Sequence, residues 1–341
     1  MQSVIPLKNL GATRRAAATL IFAAAVTIVT IAAAPAKAAA TNLTHGVLTI
    51  TGTNRSDEIA LRLKAGQPGI LQVDVGDNGS ANFSFKRRRI GKIAVNARGD
   101  TDLVRIDERN GVFTKTIRTT LNGQDGRDRL LGGSGAETLR GGDGNDVVDG
   151  NGGDDRAFLG AGNDIFVWDP GDGSDIIEGG PGADRLRFNG ANVAEQVRLS
   201  ANGSRLKFFR TQGTITMDTA GVERVDFHAL GGADLVTVND LTGTDVDAVN
   251  IELAGTLGGT TGDGAADNIV VNGTNGVDMI FIEGAADSLK VIGLAAAVQI
   301  LRSEFANDRL DINTLAGNDR VDADGLQIGV IQLFVDGLLV P

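Results

Sequence analysis

The chain has 341 residues but no cysteine, no tyrosine, two histidines and one tryptophan. Without cysteine it can form neither a disulfide bond nor a thiolate metal site. Tyrosine and histidine often act as acid or base in enzymes, and the metalloprotease motif His-Glu-x-x-His is also missing. These absences disfavour a catalytic role, but they do not exclude one, because carboxylates and arginines are plentiful.

After residue 40 the sequence also lacks a long apolar run and a sustained helical period. The missing apolar run argues against a membrane-spanning or pore-forming segment in the mature chain. The chain has 32 Lys and Arg against 43 Asp and Glu, a formal net charge of −11. Such a charge favours cations as partners and disfavours nucleic acid and anionic lipid.

The N-terminal segment 1–38 predicts a cleaved signal peptide. Lys8, Arg14 and Arg15 form its charged region, the apolar run 16–34 follows, and Ala36-Lys37-Ala38 fits the small-x-small cleavage rule. The alternative is an uncleaved membrane helix, because the run reaches the length at which a membrane span becomes possible. The alanine-rich run and the cleavage site favour removal, which predicts a secreted protein in the extracellular space or on the cell surface.

Glycine is abundant, with 48 residues, and many of these glycines belong to a nine-residue repeat. The copies read GQDGRDRLL (123–131), GGSGAETLR (132–140), GGDGNDVVD (141–149), GNGGDDRAF (150–158), LGAGNDIFV (159–167), PGDGSDIIE (170–178) and GGPGADRLR (179–187). Trp168 and Asp169 interrupt the period after the fifth copy.

Each unit joins a glycine-rich turn to a short strand. Glycines at positions 1, 2 and 4 permit a positive φ and a tight turn with exposed carbonyls. Position 6 holds a carboxylate in every copy, namely Asp128, Glu137, Asp146, Asp155, Asp164, Asp175 and Asp184. Position 8 is apolar in every copy, namely Leu130, Leu139, Val148, Ala157, Phe166, Ile177 and Leu186. One such strand cannot bury a core, whereas stacked coils can, because each coil covers its neighbour.

Two units, or eighteen residues, would make one coil with a turn on each side. The position-6 residues then form two rows, Asp128–Asp146–Asp164–Asp184 and Glu137–Asp155–Asp175. Neighbours in a row lie about one strand spacing apart, roughly 4.8 Å. Each pair repels by about 1 kcal/mol in water and by more at lower dielectric. A dication between the carboxylates reverses the sign of that interaction, so the rows predict several cation sites, with the site between Asp155 and Asp175 disturbed by the insertion.

The expected cation is Ca²⁺, which accepts 6–8 oxygen ligands from carboxylates and backbone carbonyls alike. The candidate carbonyl ligands are at positions 1 and 3 of the first five units: Gly123, Asp125, Gly132, Ser134, Gly141, Asp143, Gly150, Gly152, Leu159 and Ala161. These turns contain no histidine or cysteine that would suit zinc or copper. Mg²⁺ is disfavoured because it resists dehydration.

The pattern G-G-x-G-x-D-x-U-x, where U is apolar, resembles the RTX, or hemolysin-type calcium-binding, family. The resemblance covers the contiguous segment 123–187. It implies a parallel β-roll that folds around calcium and an exported protein. Many members of the family carry an uncleaved C-terminal export signal, so the N-terminal signal peptide predicted here departs from the family's habit.

A second, longer repeat lies outside the nonapeptides. Its copies are GKIAVNARGDTDLVRI (91–106), ERVDFHALGGADLVTV (223–238), DNIVVNGTNGVDMIFI (267–282) and DRLDINTLAGNDRVDA (308–323). The spacing between the last three copies suggests that each repeat spans two coils, of roughly 22 residues each. Their acids, such as Asp102, Asp234 and Asp267, are expected to bond the backbone of each turn rather than a metal. Asn272 and Asn313 are expected to form a ladder.

The predicted fold is therefore all-β, a parallel β-roll flanked by parallel β-helix coils. The predicted segments are a signal peptide (1–38), an N-terminal solenoid (41–121), the calcium-binding roll (122–187) and a C-terminal β-helix (188–341). The predicted function is a secreted, non-catalytic rod that binds several Ca²⁺ ions.

Two alternatives stay open, a polysaccharide-active enzyme of the polyuronate lyase or epimerase type and a toxin or adhesin fragment. The candidate partner besides calcium is an extracellular polysaccharide or the cell surface. The basic cluster Lys86-Arg87-Arg88-Arg89 with Lys92 could contact such a partner, although a solvated strand edge is the favoured interpretation.

Overall fold

Short β-strands make up most of the chain that the structure describes. A computed structural model describes residues 39–341, which belong to one compact unit. The predicted signal peptide lies outside these residues. Within residues 39–341 the only helices are two 3₁₀ turns, Arg87–Arg89 and Gln212–Thr214, and neither is long or apolar enough to cross a membrane.

The strands follow one another in this order: β1 (Ala40–Thr44), β2 (Val47–Thr51), β3 (Glu58–Lys64), β4 (Gln67–Val75), β5 (Phe83–Lys86), β6 (Lys92–Gly99), β7 (Leu103–Asp107), β8 (Arg118–Asp125), β9 (Arg129–Leu131), β10 (Thr138–Asp143), β11 (Val147–Asp149), β12 (Arg156–Ala161), β13 (Ile165–Trp168), β14 (Ile176–Glu178) and β15 (Arg185–Asn189). The remaining strands are β16 (Gln196–Asn202), β17 (Arg205–Arg210), β18 (Ile215–Ala220), β19 (Arg224–His228), β20 (Leu235–Val238), β21 (Ala248–Glu252), β22 (Asn268–Asn272), β23 (Met279–Ala285), β24 (Ser288–Ile292), β25 (Ala297–Leu301), β26 (Arg309–Asn313), β27 (Arg320–Leu326), β28 (Gln332–Val335) and β29 (Leu338–Leu339).

These strands form two sheets that run along the whole described chain. The 15-stranded sheet has the order β1-β2-β6-β8-β10-β12-β14-β18-β17-β16-β20-β22-β26-β28-β29, and the 14-stranded sheet has the order β27-β23-β24-β25-β21-β19-β15-β13-β11-β9-β7-β3-β4-β5. From β8 to β15 successive strands alternate between the two sheets, so each coil contributes one strand to each. The chain is an all-β solenoid with a parallel roll at its centre, which confirms the predicted fold class.

The eighteen-residue coil follows directly from the strand register. Leu139 in β10 faces Leu121 in β8 and Ala157 in β12. After the insertion the spacing widens, because Ala157 pairs with Ile177. Trp168 absorbs the two extra residues: it is fully buried, it stacks on Phe188 with ring centroids 4.0 Å apart, and its Nε1 donates to the Gly173 carbonyl at 2.9 Å.

The core is one continuous apolar column between the sheets. All seven position-8 side chains are fully buried in it, Leu130, Leu139, Val148, Ala157, Phe166, Ile177 and Leu186. In the nonapeptide block each half-coil offers the core mainly this one side chain. Burying a side chain of this kind contributes about 1.5–3 kcal/mol, whereas ordering each backbone residue costs about 1–2 kcal/mol. Apolar burial alone is therefore a weak driving force for this block.

The flanking segments differ from regular coils, because antiparallel strands are inserted in them. β3–β4–β5, β16–β17–β18 and β23–β24–β25 are antiparallel sets. The predicted division of each long repeat into two coils is wrong. Asn268 pairs directly with Arg309, so the step between the last two copies is a single coil, lengthened by the strands inserted between β22 and β26. The copies at 223 and 267 begin in different sheets, since β19 belongs to the 14-stranded sheet and β22 to the 15-stranded sheet.

The asparagine ladder is confirmed. Asn313 Nδ2 donates to Asn272 Oδ1 at 2.8 Å, and Asn272 Nδ2 donates to Asn239 Oδ1 at 3.0 Å. The division into segments at 121/122 and 187/188 stays a prediction, and β8 and β15 run across these two positions.

Candidate metal centres

The position-6 carboxylates lie buried where each glycine-rich turn enters its strand. All seven are between 0% and 2% exposed. The stacking of coils places Asp128, Asp146, Asp164 and Asp184 in one row and Glu137, Asp155 and Asp175 in the other. The rows are those expected from the sequence.

One oxygen of each aspartate ties its coil to the preceding coil. The Asp128 backbone N–H donates to Asp146 Oδ1 at 2.7 Å, and the Asp146 N–H donates to Asp164 Oδ1 at 2.7 Å. The same bond joins Asp164 to Asp184, Glu137 to Asp155 and Asp155 to Asp175, at 2.9, 2.6 and 2.8 Å. We call this series of N–H···carboxylate bonds between coils the carboxylate ladder.

The second oxygen of each aspartate has no hydrogen-bond partner. The Oδ2 atoms of Asp128, Asp146, Asp155, Asp164, Asp175 and Asp184 are all buried in this state. An unpaired buried carboxylate is costly, so it needs a cation or a proton. Burial raises the pKa of Asp146 to about 7. Burial, followed by repulsion from Asp175 and Glu137, raises the pKa of Asp155 to about 9.

Backbone carbonyls converge on several of these unpaired oxygens. A Cβ placed on Gly141 would overlap both the Leu159 carbonyl oxygen and Asp146 Oδ2. A Cβ on Gly123 would overlap Asp128 Oδ2 and would lie 2.6 Å from the Gly141 carbonyl oxygen. Each of these glycines therefore keeps open a small space bounded by a carboxylate oxygen and a position-1 carbonyl of the next coil. Such a space, lined by hard oxygens and closed to a methyl group, suits a bare cation.

The predicted carbonyl ligands fall into two groups. The position-1 carbonyls of Gly141, Gly150 and Leu159 point at the glycine of the preceding coil. At position 3, the carbonyls of Asp143 and Ala161 accept N–H groups of the preceding coil, from Gly126 and Gly144, both at 2.7 Å. At position 1, the Gly179 carbonyl accepts the Gly160 N–H at 2.9 Å and the Gly132 carbonyl accepts Asn151 Nδ2 at 3.1 Å. Carbonyls at both positions therefore also serve as hydrogen-bond acceptors between coils.

Comparison with known families agrees with this geometry. A family model for the RTX calcium-binding nonapeptide repeat matches residues 120–136, 131–166 and 171–192. The chain carries RTX calcium-binding repeats. Among proteins with curated descriptions, none matches this chain.

The solved structures that are similar to this chain include the extracellular lipase LipA from Serratia marcescens. The two share 13% sequence identity, and the match covers 60% of this chain and 43% of the lipase chain, with a TM-score of 0.15. The matched region is thus less than half of the lipase.

Glu137 departs from the other RTX turns. Its Oε2 accepts the N–H of Gly133 in its own turn at 2.8 Å. Glu108 enters the same turn from outside the repeats and accepts the Ser134 N–H at 3.1 Å. Glu108 Oε1 also accepts the Thr114 hydroxyl at 2.9 Å. In the Glu137 turn one carboxylate oxygen, Oε2, is therefore bonded within the turn, while Oε1 is buried without a hydrogen-bond partner.

The carboxylate ladder continues beyond the RTX repeats on both sides. Asp102 donates its N–H to Asp128 Oδ1 at 2.8 Å, and Asp57 donates to Asp102. Toward the C-terminus the Asp184 N–H donates to Glu223 Oε2 at 2.6 Å. A separate series of the same bonds begins at Glu195, which donates to Asp234, and Asp234 donates to Asp267. Glu195 was not predicted as a site residue, although the apolar Val197 two residues later repeats the spacing from position 6 to position 8.

Glu195 differs from the RTX aspartates because a protein cation accompanies it. The Arg210 guanidinium donates to Glu195 Oε1, with Nε at 2.9 Å, and the two side chains are 9% and 0% exposed. Within residues 39–341 no three Asp, Glu or His side chains converge as a ready cluster of metal ligands. Cation binding in the RTX turns would therefore depend on carbonyls as much as on carboxylates.

Proposed function

We propose that the chain is a secreted, non-catalytic structural protein whose RTX turns fold around several Ca²⁺ ions. The observation that carries this proposal is the set of buried, unpaired Asp Oδ2 atoms, with backbone carbonyls beside those of Asp128 and Asp146. Bound calcium would supply the positive charge that these oxygens lack. The aspartates would hold the ion with Oδ2 while they hold the preceding coil with Oδ1, so the same side chain links ion binding to coil stacking.

The test is calorimetry with Ca²⁺ on chelator-treated protein. We expect binding of several ions with midpoints of roughly 10⁻⁴–10⁻³ M, the range of extracellular calcium modules. Absence of heat and of bound calcium at millimolar concentrations would refute the proposal. A variant with Asp128, Asp146 and Asp164 all changed to Asn should lose most of the signal from that row while keeping an acceptor for each ladder N–H.

The non-catalytic part of the proposal is supported by the way the carboxylates are used. Each RTX aspartate has one oxygen committed to the ladder and the other buried away from solvent, an arrangement that holds an ion rather than a substrate. The competing functions are a polyuronate lyase or epimerase and a toxin or adhesin fragment. Incubation of the calcium-loaded protein with alginate and pectate should give no ultraviolet-absorbing unsaturated product, and formation of that product would favour the lyase.

The proposed export rests on residues 1–38. N-terminal sequencing of protein collected from the medium should begin directly after Ala38. A secreted chain that retains Met1 or Gln2 would contradict removal of a signal peptide.

A second role, binding of an acidic polysaccharide, is favoured by one surface groove. The groove is lined by Lys86, Arg87 and Arg88 together with Gln67 and Thr116. Arg87 is anchored by a 2.9 Å bond from Nη2 to Thr116 Oγ1, while Lys86 and Arg88 are exposed. Three basic side chains along one open groove suit a chain of carboxylates or sulfates.

Affinity for alginate at low and high salt tests this second role. The variant Lys86→Ala/Arg88→Ala should lose salt-sensitive binding, since exposed charges act through screened electrostatics. The charge-matched control Arg198→Ala/Lys290→Ala, exposed elsewhere on the solenoid, should retain it. Equal alginate binding by both variants would show that the groove is not the polysaccharide-binding site.

A further inference from the structure

Most turns along the carboxylate ladder take one of two backbone forms. In a closed turn, the N–H of position 2 donates to the position-6 carboxylate of the same turn. Closed turns pair Thr53 with Asp57, Gly133 with Glu137, Ala191 with Glu195, Thr274 with Asp278 and Glu304 with Asp308, at 2.5 to 3.2 Å. None of these position-2 residues has a positive φ.

In an open turn, position 2 has a positive φ and no N–H of the turn reaches the position-6 carboxylate. The six RTX aspartates with an unpaired Oδ2 all sit in open turns. Their position-2 residues are Gln124 (φ 80°), Gly142 (123°), Asn151 (53°), Gly160 (115°), Gly171 (117°) and Gly180 (110°). A positive φ at position 2 thus accompanies a carboxylate that receives no N–H from its own turn, whereas a closed turn supplies one such N–H. Two closed-turn carboxylates, Glu137 and Glu195, still keep one oxygen, Oε1 and Oε2 respectively, buried without a hydrogen-bond partner.

Two buried aspartates outside the RTX repeats also sit in open turns. Asp102 is 2% exposed and Asp234 is 3% exposed, and the Oδ2 of each is buried without a hydrogen-bond partner. Their position-2 residues are Arg98, with φ 94°, and Leu230, with φ 69°. Residues with bulky side chains rarely adopt a positive φ, and such strained positions cluster at ligand sites.

We propose that the open turns of Asp102 and Asp234 are two further divalent-cation sites, of the same kind as the RTX turns and flanking them on either side. This inference rests on the proposed function. In both turns the position-2 residue has the positive φ found at position 2 of the RTX turns. The result in both is a buried carboxylate with one oxygen in the ladder and one oxygen free.

The charges around the two carboxylates support the assignment. Asp128, Asp57 and Asp100 repel the charge of Asp102. The groups that act on Asp234 are Asp267, Glu195 and Asp263. All of them are carboxylates, and the nearby Arg210 is already bonded to Glu195. Each of the two free oxygens therefore has several carboxylates near it, whereas Glu195 has its guanidinium partner.

The test compares open with closed turns by calcium stoichiometry. Bound calcium per chain is measured after equilibrium dialysis for the full-length wild type and for Asp102→Asn and Asp234→Asn. The controls are Asp57→Asn and Asp308→Asn, which lie in the same ladder but in closed turns. We expect each open-turn variant to lose one bound ion and each control to keep the wild-type number.

The outcomes separate this inference from the proposed function. A wild type that binds no calcium refutes both. A wild type that binds calcium, with the same stoichiometry in all four variants, refutes only the two added sites. If an open-turn variant does not fold, hydrogen exchange on the wild type decides, because calcium should protect 97–103 and 229–235 more than 52–57 and 303–308. Equal effects on all four segments would overturn the inference.

Discussion

The position-1 glycines show how tightly single residues are constrained in this fold. At Gly141 the space for a methyl group is already taken by the Leu159 carbonyl and by Asp146 Oδ2. The backbone at Gly141 does not have a positive φ, so its conformation is compatible with alanine. The neighbouring atoms, however, leave no room for the methyl group of an alanine. A substitution at this position therefore tests the space itself.

Gly141→Ala should remove one cation site and lower the stability of the calcium-loaded protein by about 1–3 kcal/mol, because the added carbon overpacks a filled space. Bound calcium per chain and the urea midpoint are the measurements. Gly69→Ala is the matched control, since nothing lies within 4 Å of a Cβ there and its φ is also not positive. If both variants bind calcium like the wild type, the position-1 space is not a ligand site.

Elements of the solenoid differ in what holds them. The strands of the RTX block are as short as three residues, as in β9, β11 and β14, and the Oδ2 atoms of the position-6 aspartates before them are unpaired. The C-terminal strands are longer and carry two or more buried apolar residues, as in β21 and β22. They also include the Arg210–Glu195 pair and an ion pair between Arg309 and Asp311.

We therefore expect calcium removal to unfold the RTX block and to leave much of the C-terminal solenoid folded. The reason is that ordering the glycine-rich coils costs more than their apolar burial returns without the ion. Hydrogen exchange with and without chelator measures this. Equal protection of 123–187 in both states would contradict the prediction, and so would loss of protection throughout 222–341.

Arg210→Met should destabilise the calcium-loaded protein by about 3–5 kcal/mol, because it leaves the Glu195 carboxylate buried without a cation. Adding Glu195→Gln to the same chain should restore much of the loss, since the uncompensated charge is gone. Urea denaturation of the two single variants and the double variant gives the coupling energy. Strictly additive losses would mean that the guanidinium does not compensate the carboxylate.

At the scale of the whole molecule, stability is a sum over neighbouring coils that share one core column. Ordering in one RTX coil aligns the carboxylate and the carbonyls that its neighbour uses. Binding at one site therefore helps the next, and the RTX block should gain order over a narrow range of calcium concentration.

Ca²⁺ should produce this ordering, and Mg²⁺ at the same concentration should not, because Mg²⁺ resists dehydration and demands a strict octahedral shell. Circular dichroism titrations with each ion, at matched ionic strength, measure the difference. Equal responses to the two ions would show that the turns respond to charge screening rather than to coordination. A Hill slope of one for Ca²⁺ would contradict coupling between coils.

The RTX block could be predicted from the sequence because its rules are local. The nine-residue period fixed the eighteen-residue coil, the two rows and the buried position-8 residues. The C-terminal coil length could not be predicted, because the inserted strands β23–β24–β25 break the period. The closed turn of Glu137 could not be predicted either. Glu108 contacts this turn, but it lies far upstream in the sequence, before β8 begins. The open turns at Arg98 and Leu230 could not be predicted from the sequence, because arginine and leucine rarely adopt a positive φ.

The carboxylate ladder also gives the rod a chemical direction. In every step the amide belongs to the earlier coil and the acceptor oxygen to the later one, from Asp57 through Asp128 to Asp184. A cut between two coils would therefore expose donors on one fragment and acceptors on the other. Two fragments could rejoin through the ladder head to tail but not head to head, much as the two ends of a polar filament are not interchangeable.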